Sequence, residues 1–210
     1  MDILKPLTDK ELAAAYAEVF REAFPPEELK PLSSITRMIG EGQYDVLGLF
    51  RDGQPLGYIC CWLDGQYILI DYLCVEQSAR NGGIGAGIIE KVREYYPSGT
   101  VFIGEVEAPT GDAEADSMIY RRLGFYERCG ARLADYDCAL FGVHYKTIVW
   151  SGGAIDAAEV CRRHDGFYRR NFAPELYSKA IQLPLREGEK PFSRANWDES
   201  PDSEREDTEI

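Results

Sequence analysis

Leu73-Cys74-Val75-Glu76-Gln77-Ser78-Ala79-Arg80-Asn81-Gly82-Gly83-Ile84-Gly85-Ala86 leads from an apolar stretch through a cluster of glycines into a helix-forming sequence. Such a strand-to-helix passage aims several backbone N–H groups outward at the positive end of a helix dipole, which makes it a cradle for an anion. Two familiar phosphate cradles are excluded by spacing. GxxxxGK[S/T] is absent, and Gly83-Ile84-Gly85 lacks the third glycine of GxGxxG because Ile88 stands there. ATP and NAD are therefore poor candidates. Taken alone, the glycines equally suit a tight turn with close helix packing.

Upstream, apolar runs at 44–50, 55–63 and 66–76 are separated by Arg51-Asp52-Gly53-Gln54 and Asp64-Gly65. Asp-Gly between such runs predicts hairpins, so a three-strand antiparallel meander feeds the glycine cluster. Before it, Thr8-x-x-Glu11 reads as a capping box, and Leu12, Tyr16, Val19, Phe20 and Phe24 follow at helical spacing towards Pro25-Pro26. A proline-punctuated joint at 24–32 leads to a short helix at about 33–40. Downstream, Ile84, Ile88, Ile89, Val92 and Tyr95 mark a helix that stops before Pro97, and 101–107 reads as a strand. Strand, helix and strand in that order predict a right-handed crossover. An amphipathic helix at about 115–129 carries Met118, Ile119, Leu123, Phe125 and Tyr126 and ends at Gly130, and strands at 132–141 and 143–150 turn at Gly142.

The expected fold is α+β over residues 1–150, a mixed, mainly antiparallel sheet flanked by helices. After Ser151-Gly152-Gly153, residues 156–171 are helix-like and 174–183 add a turn or two, giving a helical extension over 151–185. From about 186 to 210 the chain is poor in aliphatics and rich in charge, Ser and Pro, the composition of a disordered tail. A tail that docks a partner is the alternative to plain solvation.

The net charge is −13, but residues 198–210 hold seven acids and one base, which leaves the body at −7. That balance argues against nucleic-acid or anionic-membrane binding, which rely on basic faces, and is compatible with a cationic substrate. The start of the sequence has no basic segment followed by an apolar run, so neither export nor anchoring is expected. Cys60, Cys61, Cys74, Cys129, Cys138 and Cys161 form no disulfide framework and read as thiols in a reducing cytoplasm. His144 and His164 lie on different segments without a CxxC or HxxxH partner, so no metal site is expected.

Arg80-x-x-Gly83-x-Gly85 after a strand ending Leu73-x-Val75 resembles the acetyl-coenzyme A motif of the GNAT N-acetyltransferase superfamily. Gly124-Phe125-Tyr126-Glu127-Arg128-Cys129-Gly130-Ala131 resembles its second motif, a helix bearing a tyrosine before a glycine terminator. The order of elements over 1–150 agrees. The resemblance implies an acetyl-coenzyme A-dependent acyltransferase, with Leu73, Cys74 and Val75 along the pantetheine arm and Arg80, Asn81, Gly82, Gly83, Ile84, Gly85 and Ala86 around the pyrophosphate. It also implies that Tyr126 protonates the departing thiolate. Read without the motif, a tyrosine on an apolar helix face is equally a core residue. One departure is Ile119, which occupies the place where the family often has an asparagine.

An ammonium acceptor must lose a proton before it can attack. Glu105 and Glu107 share one face of the strand at 101–107, and Asp71 lies in an otherwise apolar run, so these three carboxylates are the candidate bases. Each also suits a solvated strand end or a structural ion pair, and a water relay is a further alternative. The expected mechanism is direct attack in a ternary complex, with a backbone N–H near Val75 steadying the oxyanion. An acetyl-Cys74 intermediate is the covalent alternative, but no base is placed to activate that thiol. In this fold the acceptor is lined by the joint at 24–34, which adds Glu27 and Glu28, and by the hairpin at 136–145. Small amine, amino sugar and protein terminus remain open, as do the acyl chain and a monomeric or homodimeric state. A non-catalytic acyl-coenzyme A sensor is the competing class.

Overall fold

The computed structural model describes residues 2–26 and 28–193. Glu27 and residues 194–210, most of the expected tail, lie outside the described residues. The chain divides into two compact units, one up to Thr100 and one from Val101.

In the first unit, β1 (Ile3–Pro6) precedes a helix whose start follows the capping-box pattern. Thr8 accepts from the Glu11 backbone N–H, and its own N–H donates to Glu11 Oε2 at 2.8 Å. The helix runs as α1 (Asp9–Ala15), one π segment (Tyr16–Phe20) and α2 (Arg21–Ala23), stopping ahead of Pro25-Pro26. After the joint come α3 (Leu32–Gly40), β2 (Tyr44–Arg51), β3 (Gln54–Asp64) and β4 (Tyr67–Val75). β1 pairs with β2, β2 with β3 and β3 with β4, all antiparallel. Asp52 and Gly53 both take positive φ at the first hairpin, as its tight turn requires.

The β3–β4 register shifts between Cys60 and Cys61, so Cys60 faces Tyr72, Cys61 faces Ile70, and Asp71 is the extra residue of a bulge. A short 3₁₀ turn (Gln77–Ala79) then leads to α4 (Ile84–Tyr95), which buries Ile84, Ile88, Ile89 and Val92. Each such side chain contributes roughly 1.5–3 kcal/mol. Close approach of β3 to β4 and α4 depends on Gly57. A Cβ there would stand 2.6 Å from the Cys74 carbonyl oxygen, 2.9 Å from Ile88 Cδ1 and 3.0 Å from Val75 Cα.

The second unit contains β5 (Val101–Glu107), α5 (Ala113–Arg128), β6 (Arg132–Leu140), β7 (Val143–Trp150), α6 (Ala157–Asn171), α7 (Pro174–Ala180) and β8 (Ile181–Leu185). β7 lies between β5 and β6, and β8 pairs with the other side of β6, all antiparallel. The expected hairpin of 132–141 and 143–150 is present. Two strands were not anticipated: β1, only four residues long, and β8, where helical turns were expected through 183. The helix ends at Ala180, and Ile181, Gln182 and Leu183 are buried as strand. The Gln182 amide donates to Glu189 Oε1 and the Lys190 carbonyl and accepts from the Phe192 N–H, so residues at the head of the expected tail fold back on β8.

Opposite residues across an antiparallel pair share a face. Glu105 opposes Thr147, and Glu107 opposes Tyr145. The other face of β5 and β7 carries Gly104, Ile148 and Trp150, and a Cβ at Gly104 would meet both latter side chains at 3.2–3.4 Å. α5 covers that face through Tyr126 on Trp150, whereas α6 covers the Glu105 face through His164.

Candidate active site

The glycine cluster forms an open turn at the start of α4. Arg80 is extended, Asn81 has φ 64°, and Gly83 caps the helix at φ 74°, conformations that asparagine and glycine adopt most readily. The first backbone bond into the helix is Gly87 N–H to Gly83 O at 3.0 Å, so the N–H groups of Ile84, Gly85 and Ala86 precede the ladder. A Cβ at Gly83 would meet nothing within 4 Å. Asn81, Gly82, Gly83 and Ala86 are exposed, Gly85 is half-buried, and Ile84 anchors the turn in the core. This is open space beside free donors at the positive end of a three-turn helix, and it fits a pyrophosphate.

The strand leading to the cradle supplies backbone more than side chains. Leu73 and Val75 are half-buried, and the exposed Arg80 donates from Nε to the Val75 carbonyl at 3.3 Å. Cys74 is buried, and burial, with Glu76 nearby, pushes its thiol up to about 12. It is therefore a thiol rather than a thiolate at neutral pH, which removes the basis for an acetyl-cysteine route.

The three candidate bases stand in different surroundings. Asp71 is buried against Lys30, whose Nζ lies 2.8 and 2.7 Å from its two oxygens, and Tyr44 O–H donates to it. Lys30 Nζ also sits 4.9 Å from the Trp62 ring centre, and Tyr72 O–H holds the joint by donating to the Glu28 carbonyl and accepting from the Lys30 N–H. Lys30 and Asp71 thus form an ion pair, the arrangement weighed above beside the role of a base. Glu107 accepts from Arg122 Nη1 at 2.7 Å in a solvent-exposed pair that contributes about 0–1 kcal/mol.

Glu105 is mostly covered. It accepts from Tyr168 O–H at 2.8 and 3.0 Å and lies 2.6 Å from Nε2 of fully buried His164. The other ring nitrogen, Nδ1, is 3.1 Å from the hydroxyl of half-buried Tyr136. No motif pointed to His164, Tyr168 or this use of Tyr136. Glu105, Cys138 and His164 also bring donor atoms within 4.8 Å of one another, a grouping that spacing along the chain did not reveal. Two ligands on one tetrahedral ion stand about 3.3 Å apart for bonds near 2.0 Å. The 2.6 Å between imidazole and carboxylate is instead the distance of a direct hydrogen bond.

Tyr126 is placed by the end of α5. Gly130 takes φ 86°, and Ala131 N–H returns to the Tyr126 carbonyl at 3.0 Å, closing the helix. The ring packs edge-on to Trp150 with centroids 5.7 Å apart, and its hydroxyl has no hydrogen-bond partner among the described residues. Burial raises the phenol above its ordinary value, so it holds its proton at neutral pH. Ile119, the departure noted in the sequence, is buried. No helix among the described residues is long and apolar enough to cross a membrane.

Residues 42–130 match the family model described as the acetyltransferase (GNAT) domain. A search of curated proteins finds no match. Among solved structures, a GNAT-family protein from Bacteroides thetaiotaomicron is 23% identical, with 80% of this chain and 94% of that one covered at a TM-score of 0.64. The ribosomal-protein-S18-alanine N-acetyltransferase of Escherichia coli is 16% identical, with 74% and 97% covered at a TM-score of 0.52. An aminoglycoside 6'-N-acetyltransferase solved with coenzyme A is 10% identical, with 73% and 99% covered at 0.50. At these identities the likeness is one of fold, and the fold is that of the GNAT acyltransferases.

Proposed function

We propose, from the GNAT acetyltransferase domain that the chain carries, that the protein transfers an acetyl group from acetyl-coenzyme A to a primary amine by direct attack in a ternary complex. The observation carrying this reading is the cradle at Gly83, where open space meets N–H groups not used by the helix. Arg80 to Ala86 would hold the pyrophosphate by main-chain donors, and backbone groups at Leu73 and Val75 would guide the pantetheine arm. Glycine at Gly83 keeps the phosphates close, where a side chain would push them away.

Tyr126 is the proposed acid. Its proton is retained at neutral pH, its hydroxyl is unengaged among the described residues, and a thiolate leaving group needs only one donor. On the acceptor side an ammonium must be deprotonated, and Glu105, Glu107 and Asp71 are the acids proposed for that task, directly or through other groups. We assign 1–150 to catalysis, 151–185 to a C-terminal extension and 186–210 to an acidic tail. The six cysteines are free, which suits a cytoplasmic setting.

Thiol release from acetyl-coenzyme A against a panel of small amines, amino sugars and peptide N-termini tests the reading. Turnover with at least one class, reduced by Tyr126→Phe, is the expected result. Tight binding of acetyl-coenzyme A without turnover, unaffected by Tyr126→Phe, would replace the enzyme with an acyl-coenzyme A sensor.

A further inference from the structure

We propose that Tyr136, His164 and Glu105 form a proton relay for the acceptor amine, in which the Tyr136 hydroxyl is the outer end and His164, supplied by α6, receives the proton. The inference rests on the acetyl-transfer reading above and specifies how its acceptor is deprotonated. Three separate elements converge on this chain of hydrogen bonds: Glu105 from β5, Tyr136 from β6 and His164 from α6. A carboxylate only accepts, so the hydrogen between Glu105 and His164 belongs to Nε2. Nδ1 is then the acceptor, and Tyr136 O–H donates to it. That is the order of a carboxylate, an imidazole and a hydroxyl in which the carboxylate fixes the tautomer and stabilises the charged ring.

The location suits the role. Tyr136 and Glu105 are both half-buried whereas His164 is fully buried, so the imidazole meets a surface only through its two partners, and of these the phenol is the one that can both take and pass on a proton. Tyr168 O–H bonds to both Glu105 oxygens and holds the carboxylate in place. The other ionisable groups nearby among the described residues are Asp135, Asp137 and Cys138 on β6 and Cys161 on α6. Burial keeps both cysteine thiols above their ordinary value, so neither competes as the proton acceptor.

In the step itself, an N–H bond of the acceptor ammonium breaks as an O–H bond forms at Tyr136 Oη. The original Tyr136 O–H breaks as an N–H forms at His164 Nδ1. The amine is left neutral and nucleophilic, and the imidazolium stands against the Glu105 carboxylate until its proton returns to solvent along the same path. Tyr136 would meet the substrate, while His164 and Glu105 act through it as positioning and proton-holding groups.

The test uses the full chain, acetyl-coenzyme A and whichever amine of the panel turns over fastest. Tyr136→Phe, which removes a single hydroxyl, should lower kcat/KM for the amine at pH 7 about a hundredfold while leaving the KM for acetyl-coenzyme A unchanged. Activity of the variant should climb with pH towards the amine's own ionisation near about 10, and Glu105→Gln should share that altered profile. A wild-type rate and pH profile in Tyr136→Phe overturns the relay alone. Failure of the wild-type protein to turn over any amine overturns the acetyl-transfer reading and the relay together. Independently of any variant at these positions, nitrogen NMR on the chain's two histidines, with His144→Gln to assign them, should find His164 protonated at Nε2 and bare at Nδ1. The opposite tautomer overturns the relay.

Discussion

Glu105 and His164 are 59 positions apart in the chain and 2.6 Å apart in space. The first lies on β5 and the second on α6, beyond the 42–130 segment that matches the family domain. The extension is thus packed into the second unit, because its helix delivers an imidazole and, one turn later, the Tyr168 hydroxyl to the same carboxylate. This face is opposite the one on which Tyr126 meets Trp150.

Gly83→Val separates binding from folding. The site has room for a Cβ in the protein alone, so the folding cost is that of φ 74° for a branched residue, about 1–2 kcal/mol. The KM for acetyl-coenzyme A should rise at least about tenfold, because the new side chain occupies the space assigned to phosphate. Steady-state kinetics with varied donor, paired with thermal melts, measure the two effects, and an unchanged KM would refute the cradle.

Tyr126→Phe keeps the edge-on contact with Trp150 and removes only a hydroxyl that has no partner among the described residues. Stability should therefore hold while kcat falls roughly ten- to hundredfold, a modest loss for an acid serving a good leaving group. Substituting a donor with a more acidic leaving thiol should narrow the gap between variant and wild type. A gap independent of the leaving group would show that the phenol is not the acid.

Lys30 and Asp71 should behave as one unit. Lys30→Met leaves the Asp71 carboxylate in the core with Tyr44 O–H as its remaining hydrogen-bond donor among the described residues, and should destabilise the fold by about 3–5 kcal/mol. Adding Asp71→Leu should restore most of that loss. Urea denaturation of the two single variants and the double variant gives the coupling directly, and additive losses would contradict it.

The capping box predicts an acid-sensitive helix start. Lys5, followed by Thr8, holds the Glu11 carboxyl down to about 2, against an ordinary value of 4.5. A depressed folded value means the stabilisation is complete above about 4.5 and is lost as pH falls towards about 2. Thermal melts across that window should show Glu11→Gln flatter than wild type, and parallel curves would show that the carboxylate is not linked to folding.

Local chemistry was legible and long-range convergence was not. Asp-Gly turns, the Thr8–Glu11 box and the spacing of Ile84, Ile88 and Val92 act within a few residues, so their elements appear where expected. Asp71 was recognised as anomalous, but the bulge that turns it towards Lys30 depends on register with β3. His164 carried no signal because its partners lie on β5 and β6. β1 and β8 span four and five residues, too few for alternation to stand out.

β8 has a practical meaning for anyone trimming this protein. A fragment cut at Trp150 would strip the cover from β6 and leave its backbone donors and acceptors facing water. Bare strand edges recruit other strands, so the shortened protein should self-associate. Five residues of β8 thus act as a built-in chaperone for the edge they cover.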